Sequence, residues 1–176
     1  LFNDAKEYGS ILEVKEINFD VIERRIEEIR KGDTSDIFKW QYKNIILEKI
    51  PALIKQGKIM SRKYDVFCTN PPYMGRRSMS KKLSEYAEKN YPNSKSDLFA
   101  MFMEINNIKK NGFLAMVNQH SWMFLKSYEC LREKLIKQDT IQNMIHLGAR
   151  AFEELSGEVV QTDRKSTRLN SSHLYD

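Results

Sequence analysis

The chain has 176 residues, 41% apolar and 30% charged, which is enough for one ordinary globular domain with a real core. No apolar run approaches the roughly 20 residues of a membrane helix, and no basic-then-apolar segment opens the chain, so neither a membrane span nor a signal peptide is expected. The net charge of +5 admits a nucleic-acid partner. Much of that charge is mixed, as in Glu23, Arg24, Arg25, Glu27, Glu28, Arg30 and Lys31, the pattern of a solvated helix face. Cys68 and Cys130 are far apart and form no metal-ligand pair or redox motif, so reduced thiols in a cytoplasmic protein are expected.

Leu1 is not a start methionine, and the opening reads as mid-sequence; residues 1–14 predict no element. Residues 19–31 read as a helix capped by Asp20, with Ile22, Ile26 and Ile29 at helical spacing and Gly32-Asp33 as its end. Residues 36–50 read as a second helix, which Pro51 should kink or stop. The pattern then changes. Residues 64–69, Tyr-Asp-Val-Phe-Cys-Thr, read as a strand buried on both faces. Asn70-Pro71-Pro72-Tyr73 must end it, because prolines cannot donate to a ladder. A basic loop follows with Arg76, Arg77, Lys81 and Lys82, then a short helix near residues 83–89. Residues 96–110 read as a strong helix with Ser96 as cap and Gly112 as terminator, and residues 113–117 as a second buried strand. A helix over 127–137 and a strand over 141–147 complete a strand–helix alternation, which predicts a parallel sheet with ligands at the carboxyl ends of its strands. Residues 70–73 and 118–122 both fall at such ends, so His120 and Trp122 are either pocket-lining groups or packed residues. From Asp163 the apolar periodicity vanishes, and Asp-Arg-Lys-Ser-Thr-Arg-Leu-Asn-Ser-Ser-His resembles a translated sequencing-library adapter. Residues 163–176, His173 included, are therefore set apart from the fold as a non-native tail. The rest divides into a helical lead-in over 1–60 and an α/β part over 61–162.

Asn70-Pro71-Pro72-Tyr73 carries a definite chemistry. An exocyclic amine on a heteroaromatic ring is a poor nucleophile, because its lone pair is delocalised, and its nitrogen becomes positive as a methyl group arrives. Two acceptors aimed at the amine hydrogens favour a pyramidal nitrogen and stabilise that charge. The Asn70 side-chain oxygen is one acceptor and the Pro71 carbonyl the other, while the prolines hold the backbone extended. Tyr73 offers a face for stacking a base, which a duplex must flip out to deliver. This scheme needs neither a general base nor a metal. The plain alternative for the tetrapeptide is a turn after a strand. Arg76, Arg77, Lys81 and Lys82 are either phosphate contacts or a solvated loop.

These residues resemble the amino methyltransferases that use S-adenosyl-L-methionine, and the Asn form resembles the adenine-specific DNA methyltransferases of bacteria. Longer strings are similar to the PglX methyltransferases of the phage-defence system called BREX. They are residues 1–10 (Leu-Phe-Asn-Asp-Ala-Lys-Glu-Tyr-Gly-Ser), 64–66 leading into 70–75, 120–125, 146–152 and 157–162. The resemblance implies a doubly wound, mostly parallel α/β sheet of the S-adenosylmethionine-dependent methyltransferase type, incomplete at its N-terminal side. It implies that Asn70, Pro71, Pro72 and Tyr73 hold the target adenine of double-stranded DNA, and that Asp97 at the head of a helix helps line the cofactor pocket. The partners it implies are DNA and other proteins of the defence system. The family's glycine-rich cofactor loop precedes the motif, and no Gly-x-Gly occurs in this chain. The expectation is that this loop lies before Leu1 and that the piece alone is inactive. Two rivals stay open: the same chemistry on RNA or on protein glutamine, and a non-catalytic DNA-binding module.

Overall fold

A computed structural model describes residues 4–32, 37–105 and 107–148, and the backbone of 162–169. Residues 1–3, 33, 36, 149–152, 157–161 and 170–176, which carry several of the sequence features above, lie outside the described residues. The chain forms two units, one of residues 1–5 and 12–62 and one of residues 6–11 and 63–176.

In the first unit, α2 (Phe19–Lys31) begins at Asn18, whose side chain accepts the Asp20 amide, so Asn18 and not Asp20 is the cap. Gly32 ends it, donating to the carbonyls of Glu28 and Ile29. Helix α3 (Ile37–Ser61) runs straight through the predicted stop at Pro51. A proline removes one helical hydrogen bond, at a cost of about 3 kcal/mol. Burial offsets it: Ile54, one turn further on, packs with Phe19 and Ile26. The Lys58 ammonium adds an ion pair to Glu23 at 2.7 Å.

The second unit holds a four-stranded sheet of β1 (Tyr64–Thr69), β2 (Ile108–Gln119), β3 (Asp139–His146) and β4 (Thr162–Leu169), in the order β1-β2-β4-β3. β1 and β2 are parallel; β4 is antiparallel to both β2 and β3, so the first three strands run the same way. The sheet is thus mostly parallel in direction, with one reversed strand inside it. That strand uses residues which the sequence reading had set apart. Ladder bonds need only main-chain groups, so two facing strand edges can pair a segment without apolar periodicity. The crossover from β1 to β2 carries α4 (Lys81–Asn90) and α5 (Leu98–Phe102), and that from β2 to β3 carries α6 (Glu129–Gln138). The core lies between β2 and these helices, with Phe99, Met101, Met116 and Leu131 at its centre. The turn after α1 (Ala5–Tyr8) joins the same core through Ile11, whose carbonyl accepts from Tyr91 Oη at 2.8 Å. Tyr8 stacks on Tyr86 with ring centroids 4.3 Å apart.

Two predicted features differ. β1 is not buried on both faces; Val66 is 59% exposed, and β1 lies at the edge of the described sheet. The helix expected over 96–110 ends at Phe102, and Ile108 already pairs with Tyr64 of β1. The apolar spacing that reads as helical through Phe102 thus serves a strand at Ile108, where pairing partners decide the outcome. A wide bulge follows, in which Asp65 alone stands between pairs that enclose residues 109–112 on β2. Asn111 takes φ 65° there, and Gly112 lies so close to β1 that a Cβ would meet Ile108 Cγ2 at 2.5 Å and the Asp65 carbonyl oxygen at 2.9 Å. Gly112→Ala should therefore lower stability by about 1–3 kcal/mol. A denaturation midpoint equal to that of the wild type would contradict this close approach.

Candidate active site

Two neighbouring strand ends build the site. Thr69, the last residue of β1, pairs with Met116 of β2, which brings the tetrapeptide at 70–73 alongside Val117 and Asn118. Tyr73 Oη donates to the Val117 carbonyl at 3.1 Å. The same oxygen stands 3.5 Å from Asn70 Oδ1, at the limit of hydrogen bonding. A phenol has one proton, and the shorter contact takes it. Asn70 is exposed, Pro71 buried and Pro72 exposed. The Asn70 side-chain oxygen therefore remains an acceptor facing solvent. The Tyr73 ring is half-buried and meets Phe99 edge to face, with centroids 6.0 Å apart.

Asp97 fastens the segment after the tetrapeptide. Its Oδ1 accepts the Met74 amide at 3.0 Å and the Phe99 amide at 3.2 Å, so one carboxylate both clamps the loop and caps α5. The Leu98 amide returns a bond to the Met74 carbonyl, and the Arg76 amide one to the Ser96 carbonyl, which makes a short antiparallel bridge at Gly75 and Asp97. Ser96, the expected cap, serves the bridge instead. Asp97 is 8% exposed and makes no ion pair among the described residues. Burial raises its carboxyl above the usual range, against the lowering effect of amide bonds from Met74, Phe99 and Leu98. Burial and then the Asp97 charge also raise the phenols of Tyr73 and Tyr128. Both tyrosines thus stay neutral near pH 7, and Tyr73 keeps its proton for Val117.

The four basic residues divide. Arg76 is paired with Glu88, and the exposed Lys81 lies 3.9 Å from Glu85. Arg77 makes no ion pair or side-chain hydrogen bond among the described residues. Arg76, Arg77 and Lys81 line one open recess with Met79, Ser84 and Glu85; Lys82 is not among the lining residues. Trp122 is 4% exposed and belongs to the core, and its carbonyl accepts from Arg132 at 2.7 Å. His120 packs edge-on against Phe124 and His146, at centroid distances of 5.8 and 5.7 Å. No described helix is long and apolar enough to cross a membrane. Among the described residues no group of three or more His, Cys, Asp or Glu can hold a metal. Asn118, fully buried beside the tetrapeptide, was not singled out from the sequence. Its signal was there: it occupies the third place in the alternation Leu114, Met116, Asn118, where the first two are core residues.

A mostly parallel sheet with one reversed strand and this motif at a strand end matches the fold of an S-adenosylmethionine-dependent methyltransferase. The structure superposes on a class I S-adenosylmethionine-dependent methyltransferase from Listeria monocytogenes with a TM-score of 0.50 at 13% identity, covering 65% of this chain and 34% of that one. The chain belongs to the Eco57I restriction-modification methylase family, whose model matches residues 3–152. It is 45% identical to the adenine-specific methyltransferase BrxX of Escherichia coli O9:H4 (strain HS) over 99% of its length. It is 44% identical to the adenine-specific methyltransferase PglX of Lacticaseibacillus casei (strain Zhang) over 92%. The chain spans 14% of the length of each of these two relatives.

Proposed function

We propose that this chain carries the base-holding half of a site-specific DNA methyltransferase, which transfers a methyl group from S-adenosyl-L-methionine to the exocyclic amine of adenine. The observation that carries the reading is the exposed Asn70 oxygen, left without a committed donor because the Tyr73 hydroxyl is held by Val117. Asn70 Oδ1 and the Pro71 carbonyl accept the two amine hydrogens of a flipped adenine. Together they hold the nitrogen pyramidal with its lone pair toward the incoming methyl group. Tyr73 presents its ring to the base, with its hydroxyl tethered. The names of the two relatives, both adenine-specific methyltransferases, support adenine as the substrate.

One feature of the described residues suits the methyl donor. Asp97 is a buried carboxylate without a cation beside the motif, and the donor is a sulfonium cation. Bound S-adenosylmethionine would supply an electrophilic methyl group; Asp97 would add negative potential beside the motif and hold the loop after the tetrapeptide. Arg77, without an ion pair among the described residues, lines the recess after the motif and suits a DNA phosphate, with Arg76, Lys81 and Lys82 adding local positive potential. The resemblance to the PglX methyltransferases supports a place in phage defence beside other proteins of that system.

Full-length protein incubated with methyl-labelled cofactor should label adenine in double-stranded DNA and leave RNA and protein unlabelled. Label on RNA or glutamine would move the same site to another substrate. Retained DNA binding with no label anywhere would leave a binding module.

A further inference from the structure

Three polar residues are buried in the described structure: Ser94, Asp97 and Asn118. Two of them have evident work. Ser94 donates to Glu104, and Asp97 clamps Met74 and caps α5. Asn118 is 0% exposed, and neither its Oδ1 nor its Nδ2 has a hydrogen-bond partner among the described residues. A buried amide without partners costs its full desolvation, and native structures retain such groups for a reason. The position itself does not ask for an amide. It continues the face of Leu114 and Met116, where an apolar side chain would fit without that cost. Its place on the sheet points to the reason. The preceding carbonyl, that of Val117, receives the Tyr73 hydroxyl. Two steps beyond the Thr69–Met116 pair, the parallel register sets Asn118 level with Pro71, which is also buried.

We infer that Asn118 is a further base-recognition residue of the methylation site, whose Nδ2 donates to an acceptor ring nitrogen flanking the target amine, N1 or N7 of adenine. The inference rests on the adenine reading above. The two atoms that receive the amine hydrogens, Asn70 Oδ1 and the Pro71 carbonyl oxygen, are acceptors, so neither atom can read a ring nitrogen. The Asn118 amide one strand away carries a donor for such a nitrogen, and binding would satisfy a group that has no hydrogen-bond partner among the described residues.

The test compares wild-type full-length protein with Asn118→Leu on duplexes that carry adenine, 1-deazaadenine or 7-deazaadenine at the target position. The wild type should lose about 10-fold or more in kcat/KM on one analogue, the size of a lost base contact. Asn118→Leu should lose a similar factor on adenine and nothing further on that analogue, without a lower thermal midpoint. The assignment is overturned if the variant methylates adenine as the wild type does, if neither analogue impairs the wild type, or if the two losses multiply on both analogues. Should the leucine variant fail to fold, the smaller Asn118→Ala, which also lacks the donor, is put through the same series and judged by the same outcomes. A wild type that methylates no adenine refutes the parent reading in the adenine arm alone, and the Asn118 assignment falls with it.

Discussion

Asn70→Ala in the full-length protein is expected to slow methyl transfer by about 100- to 1,000-fold, the usual loss when one group aimed at a developing charge is removed. The loss should fall on kcat more than on KM. In the ground state the amine of adenine is nearly planar and neutral, and water can replace one acceptor. In the transition state the nitrogen is pyramidal and positive, and an acceptor fixed in place then matters most. Stability should change by no more than about 0.5 kcal/mol, since Asn70 is exposed and its one side-chain polar contact among the described residues is a 3.5 Å approach to Tyr73. Single-turnover transfer of a labelled methyl group to a duplex, with a melting curve alongside, reads both quantities. An unchanged rate would remove Asn70 from the site. A collapsed melting temperature would instead make its role structural.

The parts of the site that lie close together in sequence were legible from it. Residues 64–69 are apolar and β-prone, and the prolines at 71 and 72 forbid their continuation, so the strand and the place of the tetrapeptide followed directly. The same holds for α2, with bounds that the isoleucine spacing and Gly32 set, and for α4, whose Ser80 cap accepts the Leu83 amide. Contacts made across the chain were not legible. Asp97 meets Met74 over 23 residues, and no local pattern distinguishes a cap that also clamps a distant loop from a simple cap. The stripe from Leu98 to Ile108 fits a helix until β1 is placed, after which pairing with Tyr64 claims Ile108. The reversed strand between β2 and β3 is harder still, because main-chain pairing left no apolar rhythm to read. Arg76 and Arg77 look alike in sequence, and only Glu88, about two turns along α4, separates a tethered arginine from one with no ion pair among the described residues.

Asp97 gives the second large effect, and two substitutions separate its roles. Asp97→Ala should cost about 2–4 kcal/mol of local stability, combining a lost helix cap with an orphaned Met74 amide. Hydrogen exchange at Met74 and Phe99 would report it as faster opening of the loop behind the tetrapeptide. Asp97→Asn keeps an oxygen for both amides and removes only the charge, so its exchange should stay near that of the wild type at acidic pH. Above that, the two should diverge in a definite direction. Burial raises the Asp97 carboxyl from its ordinary value of 3.8. Between that value and the raised one, the native state holds a proton that the unfolded chain has released. Stability therefore falls as pH rises through this window, and the deficit is constant above it. Asparagine has no such titration, so the variant should gain on the wild type across the window and keep the gain at neutral pH. A difference between the two proteins that does not vary with pH would mean that the buried charge carries no penalty. If the gain in stability comes with a loss of methyl transfer, the carboxylate is retained for its charge, as a site for a cationic methyl donor requires. If transfer is unimpaired, the clamp alone accounts for Asp97.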